Sequence, residues 1–105
     1  MKKNKSSFEI PSHLNTLIEK AKIILSPNCI KLFGSRARLD HHPKSDFDIS
    51  FEFSDQNNKL WAVFTNEISE NSPSLYKYDL VDYKNADEAL KRSIDKEGIV
   101  IYEKK

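Results

Sequence analysis

From Phe47 to Phe53 the chain alternates without a break: Phe47, Ile49, Phe51 and Phe53 are apolar, and Asp48, Ser50 and Glu52 between them are polar. Successive residues of a strand point to opposite faces, so a period of two predicts a β-strand with one buried face and one polar face. The segment commits the chain to a sheet whose phenylalanine side must be covered by other elements. Asp46 and Asp48, two positions apart, share the opposite face. On a strand their Cα atoms lie about 6.5–7 Å apart, near enough for both side chains to converge on one cation. Two carboxylates this close repel each other. A divalent ion turns that cost into binding, and hard oxygen donors suit Mg²⁺. Taken alone, an Asp-x-Asp pair more often marks the solvated face of an edge strand.

The remaining elements follow from periodicity and breakers. Residues 1–7 are polar and basic and are expected to fray. Leu14, Leu17, Ile18, Ala21, Ile24 and Leu25 recur at helical spacing and predict an amphipathic helix, stopped by Ser26-Pro27-Asn28. Cys29–Phe33 is strand-like and is broken by Gly34-Ser35. Arg36–Leu39 has room for one helical turn, and Asp40–Ser45 has loop composition. Leu60, Val63, Phe64 and Ile68 predict a second helix over Lys59–Ile68. Asn71–Ser74 is a turn, and Leu75–Tyr83 is a strand. Asn85 is placed to cap a last helix with Glu88 three residues on. In that helix Leu90 and Ile94 face inward, and Gly98 closes it as a C-terminal cap. Ile99–Tyr102 is a final strand. This order predicts an α/β protein of the α+β kind, a small mixed sheet covered by helices.

A length of 105 residues fits one domain, 1–105, with no room for a second that would bind an acceptor. Seventeen Lys and Arg balance sixteen Asp and Glu, a net charge of +1, which argues against bulk electrostatic binding to nucleic acid or an anionic membrane. The single cysteine, Cys29, excludes an intrachain disulfide and a cysteine zinc cage, and it fits a reducing compartment and strand packing. MKKNK is not followed by the apolar stretch of a signal peptide, and the longest apolar run is Ile99–Tyr102. A cytoplasmic protein without membrane attachment is the expectation.

The segment before Asp46 adds chemistry. Leu32-Phe33-Gly34-Ser35 is a strand running into a tight turn. Glycine lets a phosphate approach the backbone, and serine offers an N–H and a hydroxyl. Arg36 and Arg38 follow, and guanidinium groups meet phosphate oxygens bidentately. The Lys-Ser/Thr of a Walker A loop and the Gly-x-x-Gly of a dinucleotide fingerprint are both missing. Other chemistry-bearing residues have plainer explanations. His41-His42 lack further ligands at zinc spacing and suit a loop, and His13 suits the surface at the first helix start. Trp61, Tyr76, Tyr78 and Tyr83 suit core or edge positions, with Tyr76 and Tyr78 also able to stack a base. Lys91 and Arg92 suit a solvated helix face or, alternatively, a triphosphate contact.

The stretch GSRARLDHHPKSDFDI resembles the signature of the DNA polymerase beta-type nucleotidyltransferases, which is Gly-Ser, ten residues, then Asp-x-Asp. It is most similar to the minimal nucleotidyltransferase (MNT) branch, whose members are about this short. The resemblance implies a nucleotidyltransferase fold and transfer of a nucleoside monophosphate from ATP or another NTP to a hydroxyl. It implies a two-metal Mg²⁺ site held by Asp46, Asp48 and a third acid on a neighbouring strand. Asp79 and Asp82 are the candidates and face opposite ways. Asp79, just before a Leu-Val pair, matches the family position, whereas Asp82 suits an exposed or capping acid. Gly34, Ser35 and Arg36 would bind the nucleotide phosphates. In the minimal branch a separate helical protein supplies acceptor binding. Some pairs are HEPN–MNT toxin–antitoxin systems in which the MNT protein AMPylates its partner; others are a transferase with a substrate-binding subunit. The resemblance leaves open an antitoxin acting chiefly by binding, and an inactive nucleotide-binding module.

Overall fold

In the computed structural model, which describes residues 10–39, 46–54, 59–71 and 77–105, the elements follow the expected order. They are α1 (Ser12–Ile24), β1 (Cys29–Phe33), α2 (Ser35–Arg38), β2 (Phe47–Glu52), α3 (Leu60–Asn71), β3 (Tyr78–Asp82), a 3-10 turn (Tyr83–Asn85), α4 (Glu88–Glu97) and β4 (Ile99–Glu103). The strands form one sheet in the order β3-β2-β1-β4. β1 is antiparallel to both of its neighbours. β2 and β3 are parallel, which requires a crossover, and α3 lies between them in the chain. The expected frayed end, the Asp40–Ser45 loop with His41-His42, Ser72–Ser74 of the expected turn, and Leu75 and Tyr76 of the expected third strand lie outside the described residues.

The alternation of β2 becomes two different environments. Phe47, Ile49, Phe51 and Phe53 join Ile30 and Leu32 of β1 in one core with Leu14, Leu17, Ile18 and Ala21 of α1 and Phe64 and Ile68 of α3. On α3 the buried face is Trp61, Phe64 and Ile68, at offsets of three and seven. Trp61 stacks on Phe53 with ring centroids 5.7 Å apart. Of the residues that predicted this helix, Val63 points away from the core and is 53% exposed, and Leu60 lies at the margin of the buried face, 37% exposed. α4 packs across the other face, against β1, with Ile94 fully buried.

Of the two capping expectations, the one for Asn85 changes and the one for Gly98 holds. Asp87, not Asn85, caps α4, its Oδ1 accepting from the Leu90 N–H at 2.8 Å. Asn85 is taken up by the 3-10 turn, and its Nδ2 donates to Asp82 Oδ2 at 2.8 Å. Gly98 does end α4, but with extended backbone rather than a left-handed cap. Its need for glycine is space, because a Cβ would lie 2.5 Å from the Ile94 carbonyl oxygen and 3.0 Å from Lys31 Cδ.

Candidate active site

β1 delivers the chain to Gly34, whose φ of +77° is in the region that only glycine adopts easily. There the backbone turns directly against β2. A Cβ on Gly34 would overlap Asp48 Oδ2 and lie 3.1 Å from its Cγ. The Gly34 carbonyl then accepts from the N–H groups of Ala37 and Arg38, at 3.0 and 3.1 Å, and starts the single turn of α2 with Ser35 half-buried.

Asp48 is the centre of this region. It pairs with Phe33 on β1 and stands directly across from Asp79 on β3. The Asp48 carboxyl is pushed up to about 6, first by burial, then by the charges of Asp79 and Asp46 and by a hydrogen bond with Asp79. Arg38 opposes that shift. Asp46 and Asp79 are both exposed. Asp82, three residues beyond Asp79, belongs to the other side of β3. It stands at the N-cap position of the 3-10 turn, as expected of a capping acid, but is half-buried rather than exposed, and among the described residues its Oδ1 is buried without a hydrogen-bond partner.

The two arginines are separated. The Arg36 guanidinium lies over the Phe47 ring, 4.1 Å from its centroid. Arg38 pairs with Glu97 at the end of α4, Nη1 to Oε1 3.0 Å, and its charge acts on Asp48. Both arginines were candidates for the phosphates, with Arg36 the one that the resemblance implied, and Arg-x-Arg does not say which guanidinium turns toward the acids.

His13 was missed. It is half-buried rather than on the surface, hydrogen-bonded through Nδ1 to the Tyr78 hydroxyl at 2.6 Å. It meets Phe47 edge to face with centroids 4.9 Å apart. Burial, then the charge of Arg36, lowers its pKa. The only signal available was position, since His13 precedes the buried Leu17 by one helical turn. Elsewhere Lys91 lies over Tyr83, 5.5 Å from the ring centroid, Arg92 is exposed, and Cys29 is half-buried on β1.

Among the described residues no three His, Cys, Asp or Glu side chains converge into a ready metal cluster. The donor chemistry nevertheless fits Mg²⁺. Asp48 shares a hydrogen bond with Asp79, and the raised proton affinity of Asp48 is what a cation relieves. Mg²⁺ is commonly held by one or two carboxylates, with water and substrate phosphates completing its shell.

A family model described as "Polymerase beta, Nucleotidyltransferase" matches residues 14–105. No curated protein sequence matches the chain. Among solved structures, a toxin–antitoxin complex with AMP-PNP contains a chain that is 24% identical, with a TM-score of 0.66, covering 87% of this chain and 73% of that one. A variant of the toxin–antitoxin MntA–HpeT gives 22% identity and a TM-score of 0.68, with 92% and 76% covered. A tri-AMPylated Shewanella oneidensis HEPN toxin in complex with its MNT antitoxin gives 22% and 0.62, with 89% and 71% covered. At these identities the likeness is one of fold, and the fold is that of the nucleotidyltransferases.

Proposed function

The chain belongs to the polymerase beta nucleotidyltransferase family, and from that premise we propose that it transfers a nucleoside monophosphate, AMP from ATP in the first instance, to a hydroxyl acceptor. One observation carries this: Asp48 and Asp79 are apposed across β2 and β3, directly beneath the Gly34 turn. Asp48 and Asp79 would hold Mg²⁺, with Asp46 at the edge of the same charge cluster available to a second ion. Bound Mg²⁺ would supply neutralisation of the triphosphate and polarisation of the α-phosphate.

The protein's own residues have distinct tasks. Gly34 and Ser35 would offer backbone N–H groups to a phosphate at the turn that abuts Asp48. Arg38 meets phosphate oxygens, exchanging Glu97 for the substrate. Arg36, expected to bind phosphate, joins it only by leaving the Phe47 ring. Asp79 is the exposed carboxylate on the acceptor side and takes the hydroxyl proton. The acceptor oxygen forms a bond to the α-phosphorus as the bond to the bridging oxygen breaks, and pyrophosphate leaves with that electron pair. Positioning supplies much of such a rate enhancement, and acceptor positioning is assigned to a helical partner protein.

The fold neighbours favour a specific version in which the chain is the antitoxin of a HEPN–MNT pair, since one of them accompanies a tri-AMPylated toxin. Co-expression with the product of the adjacent gene, then mass measurement of that protein, tests it. Adenylate on the partner that vanishes with Asp48→Asn supports AMPylation. An unmodified partner that stimulates ATP turnover supports a substrate-binding subunit. Full transfer to free small molecules by the isolated chain would refute the need for a partner. No helix among the described residues is long and apolar enough to cross a membrane.

A further inference from the structure

β3 is the edge of the sheet and has only five residues, Tyr78–Asp82. Its pairing with β2 decides whether Asp79 meets Asp48. A slip of one residue would turn Asp79 to the helix side, because strand side chains alternate. Leu80, packed against the core, favours the observed register, and a contact at Tyr78 would secure it beside the carboxylates.

One side chain from outside the sheet touches both strands at that point. His13 of α1 is hydrogen-bonded to Tyr78 at 2.6 Å and meets the edge of Phe47 at 4.9 Å. Phe47 and Tyr78 are themselves a register pair, and the next pair is Asp48 and Asp79. Their rings are 6.2 Å apart, so the three form one cluster. It lies directly behind the carboxylates, on the opposite side of the sheet.

We propose that His13, through its hydrogen bond to Tyr78 and its contact with Phe47, is a positioning residue that fixes the β2–β3 register and so holds Asp79 against Asp48 for metal binding. The proposal rests on the two-carboxylate site described above. His13 touches neither acid. It acts on them through the residue immediately before each. The neutral imidazole suits this role, since it pairs with the Tyr78 hydroxyl without bringing a second positive charge beside Arg36.

The test is the affinity of the full chain for Mn²⁺ alone, followed by water-proton relaxation, in folded variants. Tyr78→Phe removes only the hydroxyl. His13→Leu removes the hydrogen bond. His13→Asn keeps an amide atom near the place of Nδ1. Partners hydrogen-bonded directly to metal ligands are worth about 10–100-fold in affinity; His13 and Tyr78 stand one residue behind the ligands, so Tyr78→Phe and His13→Leu are expected to weaken Mn²⁺ by about three- to tenfold. His13→Asn is expected to recover most of that loss, a rescue that general loss of packing would not give. Wild-type affinity in Tyr78→Phe, or His13→Asn as weak as His13→Leu, overturns the proposal. Asp48→Asn is the control beneath it. Should Asp48→Asn bind Mn²⁺ as wild type does, the two-carboxylate site itself fails and the inference falls with it. Should it lose Mn²⁺ while Tyr78→Phe does not, only the inference fails.

Discussion

Asp48→Asn should make the metal-free protein more stable at neutral pH while removing its response to Mg²⁺. The Asp48 carboxyl is raised from 3.8 to about 6 by burial and by Asp79 and Asp46. Between those values the folded chain binds more protons than the unfolded one. Stability therefore falls as pH rises through that window and stays lower above it. Roughly two pH units at about 1.4 kcal/mol each set a ceiling near 3 kcal/mol. Asp48 is only half-buried, and solvent screening reduces the figure to about 1–2 kcal/mol. Asparagine keeps the hydrogen-bond donor of the protonated acid without the charge. For a domain of this size 1 kcal/mol moves Tm by about 4–8 °C. Asp48→Asn should thus melt about 5–10 °C above wild type at pH 7.5 and close to it at pH 3.5. Adding Mg²⁺ at pH 7.5 should raise the wild-type Tm and leave the variant nearly unmoved. Thermal unfolding by circular dichroism at both pH values, with and without Mg²⁺, measures all of this. An Asp48→Asn Tm at or below wild type at pH 7.5, or the same difference at both pH values, would refute the like-charge argument.

Three further outcomes can be checked by routine measurement. Phe51 is fully buried between β2 and α3, so Phe51→Ala should cost about 3–5 kcal/mol in urea unfolding, a large share of the stability of a small domain. Gly34→Ala forces a side chain into a positive-φ, extended-ψ backbone that essentially only glycine adopts, about 1–3 kcal/mol of strain. It also displaces the Asp48 carboxylate, so metal-ion affinity should fall even where the protein still folds, as relaxation titration would show. Arg38→Ala should weaken Mg²⁺·ATP binding more than Arg36→Ala by calorimetry, because Arg38 is the arginine whose charge acts on Asp48; the reverse order would return the phosphate contact to Arg36.

The local alternations were legible in the residues themselves. Phe47, Ile49, Phe51 and Phe53 had to share a buried face, and Asp48 had to face away from them, because strand side chains alternate whatever the neighbours are. The same holds for Leu14, Leu17, Ile18 and Ala21 on α1. The spacing of Gly34-Ser35 and Asp46-x-Asp48 carried the family, since a turn and a strand at that separation are written in consecutive residues. Tertiary structure decided what consecutive residues cannot encode. Asp79 rather than Asp82 meets Asp48 because β2 and β3 pair in parallel in the one register that sets Phe47 opposite Tyr78 and Asp48 opposite Asp79. Arg38 pairs with Glu97 of α4 and its charge acts on Asp48, while the Arg36 guanidinium lies over Phe47, a division that Arg-x-Arg does not encode. Val63 stays outside the core while Trp61 packs against it, because several faces of a short helix carry apolar residues and only packing selects among them. His13 gave no chemical signal at all. Its partners Phe47 and Tyr78 are far away in the chain, and only the folded sheet sets them side by side.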